Sequence, residues 1–218
     1  GPGQNATLHH LGVGFRPDWE VVISAVLDSC ETRPEIDAER VAAMGNSQGG
    51  YWVPRAAAFE HRLAAVVADP GVVDVGASWF AHLPAEMIDL LDDPASQGGF
   101  DTAMALGMEA DPEARAVLTV RARPYRLDSF WELYRSLREY RLDAETIGQI
   151  RCPTLVTSPE HEQFWPGQSQ VLFDALRVDE RCLLPFTEDE GASWHCEPAN
   201  LGLRNQRILD WLDDVVPG

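Results

Sequence analysis

The stretch that decides the fold is Gly45-Asn46-Ser47-Gln48-Gly49-Gly50. It follows a short apolar run, residues 40–44, which is compatible with a buried strand, and it opens a segment to about Glu60 that favours a helix. A serine with glycines two residues before and after it is typical of a nucleophile elbow, a sharp strand-to-helix turn on which the glycines leave room for neighbouring backbone. Ordinary glycine-rich turns share this pattern, but the flanking strand and helix favour the elbow. We therefore predict Ser47 as a nucleophile and the backbone N–H of Gln48 as an oxyanion donor.

Apolar runs at three further points of the chain predict strands, and helical patterns separate them. The predicted strands are residues 63–68, 154–157 and 182–186, and the predicted helices include residues 19–31, 166–177 and 201–215. Pro54 lies in the helix after the elbow, where it removes one backbone donor. Strands that alternate with helices indicate an α/β fold with a mostly parallel sheet and helices on both faces.

One long segment interrupts this alternation. Residues 77–149 have helical patterning and no clear strand, which predicts a helical cap inserted between two strands. We therefore divide the chain into a first part of the core with the elbow at residues 1–76, a cap at residues 77–149, and a second part of the core at residues 150–218.

The partners of a serine nucleophile are expected in the order serine, acid, histidine. His195 lies in a glycine-containing loop between the fourth predicted strand and the last helix, which suits a base that reaches over the sheet. The acid is expected after the third predicted strand, where Glu160 and Glu162 are both candidates. Spacing alone does not decide between these two carboxylates.

Composition excludes several classes of protein. A net charge of −18 argues against nucleic acid as a partner. No apolar run approaches the ~20 residues of a membrane span, so we expect no membrane partner. The four cysteines form no C-x-x-C motif, which argues against zinc and thioredoxin chemistry, and we expect neither a metal nor a cofactor. Free thiols make the cytoplasm the expected location. The cysteines are Cys30, Cys152, Cys182 and Cys196.

Taken together, these motifs resemble the α/β-hydrolase superfamily. They are more closely similar to the branch with dihydroxypseudooxynicotine hydrolase, fungal polyketide-shortening hydrolases and relatives of the prolyl-oligopeptidase type. In that branch the acid precedes two apolar residues and a proline, which implies Glu162, although most members have Asp there. The motifs that carry the resemblance are Gly1-Pro2-Gly3-Gln4, the elbow, Cys152-Pro153-Thr154-Leu155-Val156, Phe164-Trp165-Pro166 and residues 191–195.

The resemblance also implies that this chain is the C-terminal portion of a hydrolase. A loop like Gly1-Pro2-Gly3-Gln4 ends the fourth core strand in that family, and the second oxyanion N–H comes from a loop after the third strand, which this sequence lacks. Four strands are few for an open parallel sheet, because one edge would present unpaired backbone groups. We therefore expect an N-terminal half of the same hydrolase, as a separate chain in a heterodimer or as a missing segment.

The expected activity is that of a serine hydrolase with a small-molecule substrate. The resemblance implies an acyl-enzyme and cleavage of an ester or of a C–C bond next to a ketone, with an aromatic or polyketide-like substrate. Two alternatives remain open: an acyltransferase or cyclase with the same triad, and a non-catalytic binding protein. The residues predicted to line the substrate pocket, several of which equally fit a packed core, are Tyr51, Trp52, Trp79, His82, Trp131, Tyr134 and Trp165.

Overall fold

The structure is a computed structural model that describes residue 7 and residues 10–216. The loop motif at residues 1–4 lies outside them. Two compact units are present: a core unit formed by Asp18–Ala77 and the chain from Tyr140 onward, and a helical unit formed by Ser78–Glu139 with the described residues before Asp18. No helix in the described part of the chain is long and apolar enough to cross a membrane.

In the described residues helices and strands alternate, except for a run of helices between the second and third strands, as the sequence predicts. In chain order they are α1 (Glu20–Glu31), β1 (Ala42–Asn46), α2 (Gly49–Phe59), β2 (Ala65–Asp69), α3 (Ala77–Phe80), α4 (Ala85–Asp89), α5 (Gln97–Ala110), α6 (Pro112–Ala122), α7 (Phe130–Leu137), α8 (Ala144–Ile147), β3 (Thr154–Pro159), α9 (Gln168–Ala175), β4 (Arg181–Phe186) and α10 (Leu201–Val215).

The four strands form one parallel sheet in the order β1-β2-β3-β4. This arrangement confirms the predicted fold class. β1 starts and ends two residues later than the apolar run at residues 40–44, so that it leads directly into Ser47. In the register of the sheet Asn46 lies beside Asp69, so the carboxyl ends of β1 and β2 meet at the elbow.

Apolar helix faces cover the sheet. α2 packs against β1 and β2, and α10 contacts β2 through Ile208, which clusters with Val67 and Leu155. All five residues of β2 are buried, as expected for a strand inside a parallel sheet.

Pro54 lies in the second turn of α2, deeper in the helix than an N-terminal proline. It has no N–H to donate to the carbonyl of Gly50, four residues earlier. That carbonyl instead accepts a hydrogen bond from the backbone N–H of Val72, at 3.3 Å. The loop after β2 thus satisfies the acceptor that the proline leaves without its helical donor.

The helical unit is organised around aromatic side chains. The ring of Tyr134 on α7 contacts Trp79, Phe80 and Phe100 with ring centroids 5.6–5.9 Å apart. The described residues of this unit contain no strand, in agreement with the helical pattern of the sequence.

The boundaries of this unit differ from the segment predicted as a cap. Residues 140–149 belong to the core unit, because Leu142 donates to Val73 at 2.8 Å and Val75 donates to Tyr140 at 3.1 Å. Residues 10–17 belong to the helical unit, where the backbone N–H of Phe15 donates to Pro124 at 2.8 Å. Both differences arise from backbone hydrogen bonds between distant segments, which helical periodicity does not report.

Candidate active site

Ser47 occupies a strained turn between β1 and α2. Its φ is +58°, in the left-handed region that costs a non-glycine residue about 1–3 kcal/mol. Two backbone hydrogen bonds hold the turn: Ser47 donates to the carbonyl of Asp69 at 2.7 Å, and Gly50 donates to the carbonyl of Ser47 at 2.8 Å. The serine therefore sits on the strand-to-helix turn that the motif predicts.

Two glycines allow this turn to pack closely. A Cβ atom at Gly45 would lie 2.0 Å from the carbonyl oxygen of Gly49, and one at Gly50 would lie 1.8 Å from that of Pro70. A Cβ at Gly49 would have no heavy atom within 4 Å. The prediction that both motif glycines make room is correct for Gly45 and wrong for Gly49, because Gly50 is the residue that approaches the loop after β2.

His195 reaches Ser47 across 148 residues of sequence. Its Nε2 lies 2.9 Å from the Oγ of Ser47. The loop that carries it follows β4 and is joined to the loop after β3, because the backbone N–H of His161 donates to the carbonyl of Ser193 at 2.7 Å. Adjacent parallel strands place these two loops at the same end of the sheet.

Glu162 is the carboxylate that meets the imidazole. Its Oε2 lies 2.8 Å from the Nδ1 of His195, and its Oε1 accepts from the backbone N–H groups of Phe164 and Trp165 at 2.8 and 3.1 Å. Glu160 is exposed and accepts from the backbone N–H of Glu188 instead. Of the two candidate acids, the structure brings Glu162, which the family resemblance implies, to the histidine.

The surroundings of Glu162 keep it ionised. Burial by itself raises the pKa of this carboxyl, but the hydrogen bond and charge of His195 and the two backbone N–H donors outweigh burial and hold the pKa below its usual value. A carboxylate that accepts from Nδ1–H leaves the lone pair of Nε2 for the hydroxyl of Ser47. The arrangement can therefore move a proton from the serine to the imidazole.

Aromatic rings restrict the imidazole. The rings of Phe164 and His195 pack edge to face with centroids 4.7 Å apart, and the ring of Trp165 lies 5.6 Å from that of His195. Trp165 is itself held by the hydrogen bond from its indole N–H to the carbonyl of Val75, at 3.2 Å. In the sequence Phe164 stands out only as part of a family motif, and its contact with His195 was not predicted. Its position two residues after the acid was the available signal.

Gln48 follows Ser47 directly and is the N-cap residue of α2. The N-terminus of a helix carries partial positive charge and backbone N–H groups, which favour a developing anion. The position of Gln48 fits the predicted oxyanion donor, whose role stays a prediction.

Comparison with known proteins identifies the fold of this chain. No family model matches the chain. The solved structure of a 2,6-dihydroxy-pseudo-oxynicotine hydrolase superposes on it with a TM-score of 0.64 and 22% identity, over 96% of this chain and 49% of that one. The α/β hydrolase GrgF from Penicillium sp. sh18 superposes with a TM-score of 0.62 and 17% identity, over 91% of this chain and 72% of that one. This chain has the α/β-hydrolase fold. The elbow, Glu162 and His195 thus lie at the carboxyl ends of strands in an α/β-hydrolase sheet.

Several curated relatives of this chain are fungal proteins. One from Penicillium oxalicum, named hydrolyase poxO, is 30% identical over 98% of this chain and 54% of its own length. One from Pyricularia oryzae, named hydrolase ORFZ, is 27% identical over 98% of this chain and 53% of its own length. The chain therefore spans about half the length of the curated relatives it matches.

The residues predicted to line a substrate pocket lie in both units of the chain. Six of the seven are buried, and His82 is exposed. Their role in substrate binding stays a prediction. Tyr51, Trp52 and Trp165 belong to the core unit, and Trp79, Trp131 and Tyr134 belong to the helical unit.

Proposed function

We propose that this chain carries the catalytic triad of a serine hydrolase, with Ser47 as nucleophile, His195 as base and Glu162 as acid. The observation that carries the proposal is the continuous hydrogen-bonded relay from the Oγ of Ser47 through both imidazole nitrogens to Glu162. A serine with positive φ adds to it, because strained backbone persists where the surrounding structure maintains it and is concentrated at active sites.

The relay supports nucleophilic acyl transfer to water. His195 takes the proton of Ser47 as the Oγ attacks a carbonyl carbon, and the tetrahedral oxyanion receives the N–H of Gln48. His195 then gives the proton to the leaving group, whether an alcohol oxygen or the carbanion-like carbon next to a ketone. A water molecule, deprotonated by the same imidazole, attacks the acyl-enzyme and restores Ser47.

A ring-bearing or polyketide-like ester or ketone is the proposed substrate class. One structural relative is named 2,6-dihydroxy-pseudo-oxynicotine hydrolase, and the curated relatives from fungi described above are named as hydrolases or hydrolyases. Both units of this chain are rich in aromatic side chains, which suit an apolar substrate with rings.

Labelling by a fluorophosphonate probe tests the nucleophile, because only an activated serine reacts quickly. We expect the wild-type assembly to be labelled at Ser47, and Ser47→Ala to lose both labelling and turnover. Ser29→Ala removes an exposed serine of α1 and is the matched control, expected to label as the wild type does. Undiminished turnover in Ser47→Ala would contradict the triad. Product analysis distinguishes hydrolysis from acyl transfer or cyclisation.

We further propose that the free edge of β1 pairs with strands of an N-terminal half. Among the described residues β1 pairs with β2 alone, and Met44 in its centre is 40% exposed. The curated relatives are about twice as long as this chain, which leaves sequence for further strands and for a second oxyanion donor. Native mass spectrometry of an active preparation tests this proposal. An active species that contains this chain alone would refute it.

A further inference from the structure

A pair of buried carboxyl groups lies between the elbow and the histidine loop. Asp69 ends β2 and Glu197 follows His195 by two residues, and both are 0% exposed. Asp69 accepts from the hydroxyl of Thr157 at 2.7 Å and from the guanidinium of Arg204 at 3.3 Å. The carboxyl of Glu197 faces that of Asp69, and among the described residues no hydrogen-bond donor reaches either of its two oxygens.

Two carboxyl groups in this arrangement share one proton. Adjacent buried carboxylates repel each other strongly, and a hydrogen bond between them requires that one be protonated. The proton resides on Glu197, because Asp69 already has a cation and a hydroxyl to stabilise its charge. Burial has the largest effect on the pKa of Glu197, and the neighbouring carboxylate of Asp69 adds to it. Together they raise this pKa to about 9. Of the other charged groups that face Glu197, Arg204 opposes this rise and Glu162 adds to it.

The pair connects the two halves of the triad. The backbone carbonyl of Asp69 accepts from the N–H of Ser47 at 2.7 Å and from the thiol of Cys196 at 3.3 Å. Cys196 and Glu197 both have positive φ, +57° and +46°, so the chain after His195 turns back toward the end of β2 in a conformation that needs external support. A hydrogen bond from a protonated Glu197 carboxyl to the carboxylate of Asp69 would provide support at that point.

We propose that Glu197 is a positioning residue whose protonated carboxyl, by donating to Asp69, holds the loop of His195 against the elbow. The proposal rests on the proposed hydrolase function. When the proton is lost, two buried anions face each other, the loop moves away from the end of β2, and His195 loses its hydrogen bond with Ser47. Activity then falls at alkaline pH although every residue of the triad is intact.

Glu197→Gln is the decisive variant, measured in the complete assembly. The glutamine amide is neutral, has nearly the size of the acid and donates an N–H to Asp69, but it does not titrate. We expect its fluorophosphonate labelling rate near neutral pH to stay within about threefold of the wild type, since one hydrogen bond replaces another. We expect the wild-type rate to fall above about pH 9 and the rate of Glu197→Gln not to fall there.

Two further variants complete the design. Glu197→Ala removes the donor, and we expect its labelling rate near neutral pH to fall about a hundredfold through misplacement of His195. Asp189→Asn removes one exposed carboxylate from the loop after β4 and should leave the pH profile unchanged. An alkaline fall in Glu197→Gln equal to that of the wild type would overturn the proposal. If Glu197→Ala does not fold, the pH profile of Glu197→Gln still decides it.

The pH dependence of thermal unfolding tests whether Glu197 is protonated, and it does so without any measurement of activity. The native protein keeps a proton on Glu197 that the unfolded chain releases above its ordinary pKa of 4.5. The wild-type Tm should therefore fall relative to that of Glu197→Gln from about pH 5 to about pH 9 and run parallel above it. If the Tm values of the wild type and Glu197→Gln ran parallel at every pH, the proton shared by the two carboxyl groups would be refuted. The expected Tm difference in a protein without any labelling at Ser47 would refute the proposed function and with it the positioning role, while the pair would stand.

Discussion

The glycines of the elbow are expected to differ sharply in their tolerance of a methyl group. A Cβ at Gly50 lies 1.8 Å from the carbonyl oxygen of Pro70 and one at Gly45 lies 2.0 Å from that of Gly49, so backbone must move by about 1 Å in either variant to relieve the overlap. Neighbouring backbone is hydrogen-bonded into the turn, and the helix and strand on each side resist the movement. We expect Gly45→Ala and Gly50→Ala each to cost about 3 kcal/mol of unfolding free energy.

Gly49→Ala is the matched control within the same motif. Its Cβ meets nothing within 4 Å, and its φ is not in the positive range. Gly49 is the first residue of α2, and replacement of a helical glycine by alanine stabilises by up to about 1 kcal/mol. We expect Gly49→Ala to be as stable as the wild type or more stable.

Thermal unfolding followed by circular dichroism measures these differences, and fluorophosphonate labelling reports the geometry of Ser47. A loss of 3 kcal/mol corresponds to a fall in Tm of about 6–12 °C for a chain of this size. We expect labelling to fall in Gly45→Ala and Gly50→Ala and to persist in Gly49→Ala. Wild-type stability in Gly50→Ala, or a loss in Gly49→Ala as large as in Gly45→Ala, would refute the reasoning from close approach.

Two further predictions concern carboxylates. Glu162→Gln should lower kcat about a thousandfold or more because the amide does not select the tautomer of His195, whereas Glu162→Asp should retain more activity; steady-state kinetics checks this, and equal losses would contradict it. The carboxylate of Glu60 accepts hydrogen bonds from Ser24 and Arg62. Those from Arg62 have the largest effect on its pKa, which they lower to about 2. Glu60→Gln should therefore lose about 1 kcal/mol near neutral pH, and its deficit in urea unfolding should shrink as pH falls from about 4.5 toward 2. A deficit independent of pH would assign the loss to packing instead.

Features of the site that depend on neighbouring residues were accessible from the sequence. The apolar run before Ser47 and the helix after it predicted a strand-to-helix turn, and the helix predicted at residues 201–215 coincides with α10. Each of these patterns is local, because hydrophobic periodicity reports which face of one element is buried. Chain order added the expectation that a late histidine would serve Ser47.

Features that depend on residues far apart in the chain were decided by tertiary structure. The choice of Glu162 over Glu160 follows from which carboxylate meets His195, and the importance of Gly50 over Gly49 follows from the approach of Pro70. Asp69, at the end of β2, and Glu197, in the loop after His195, are likewise buried next to each other across more than a hundred residues of chain. Hydrophobic pattern by itself does not encode these contacts, because parallel strands bring their carboxyl ends together regardless of how much chain separates them. Of the three, only Glu162 was implied in advance, by the resemblance to a family motif.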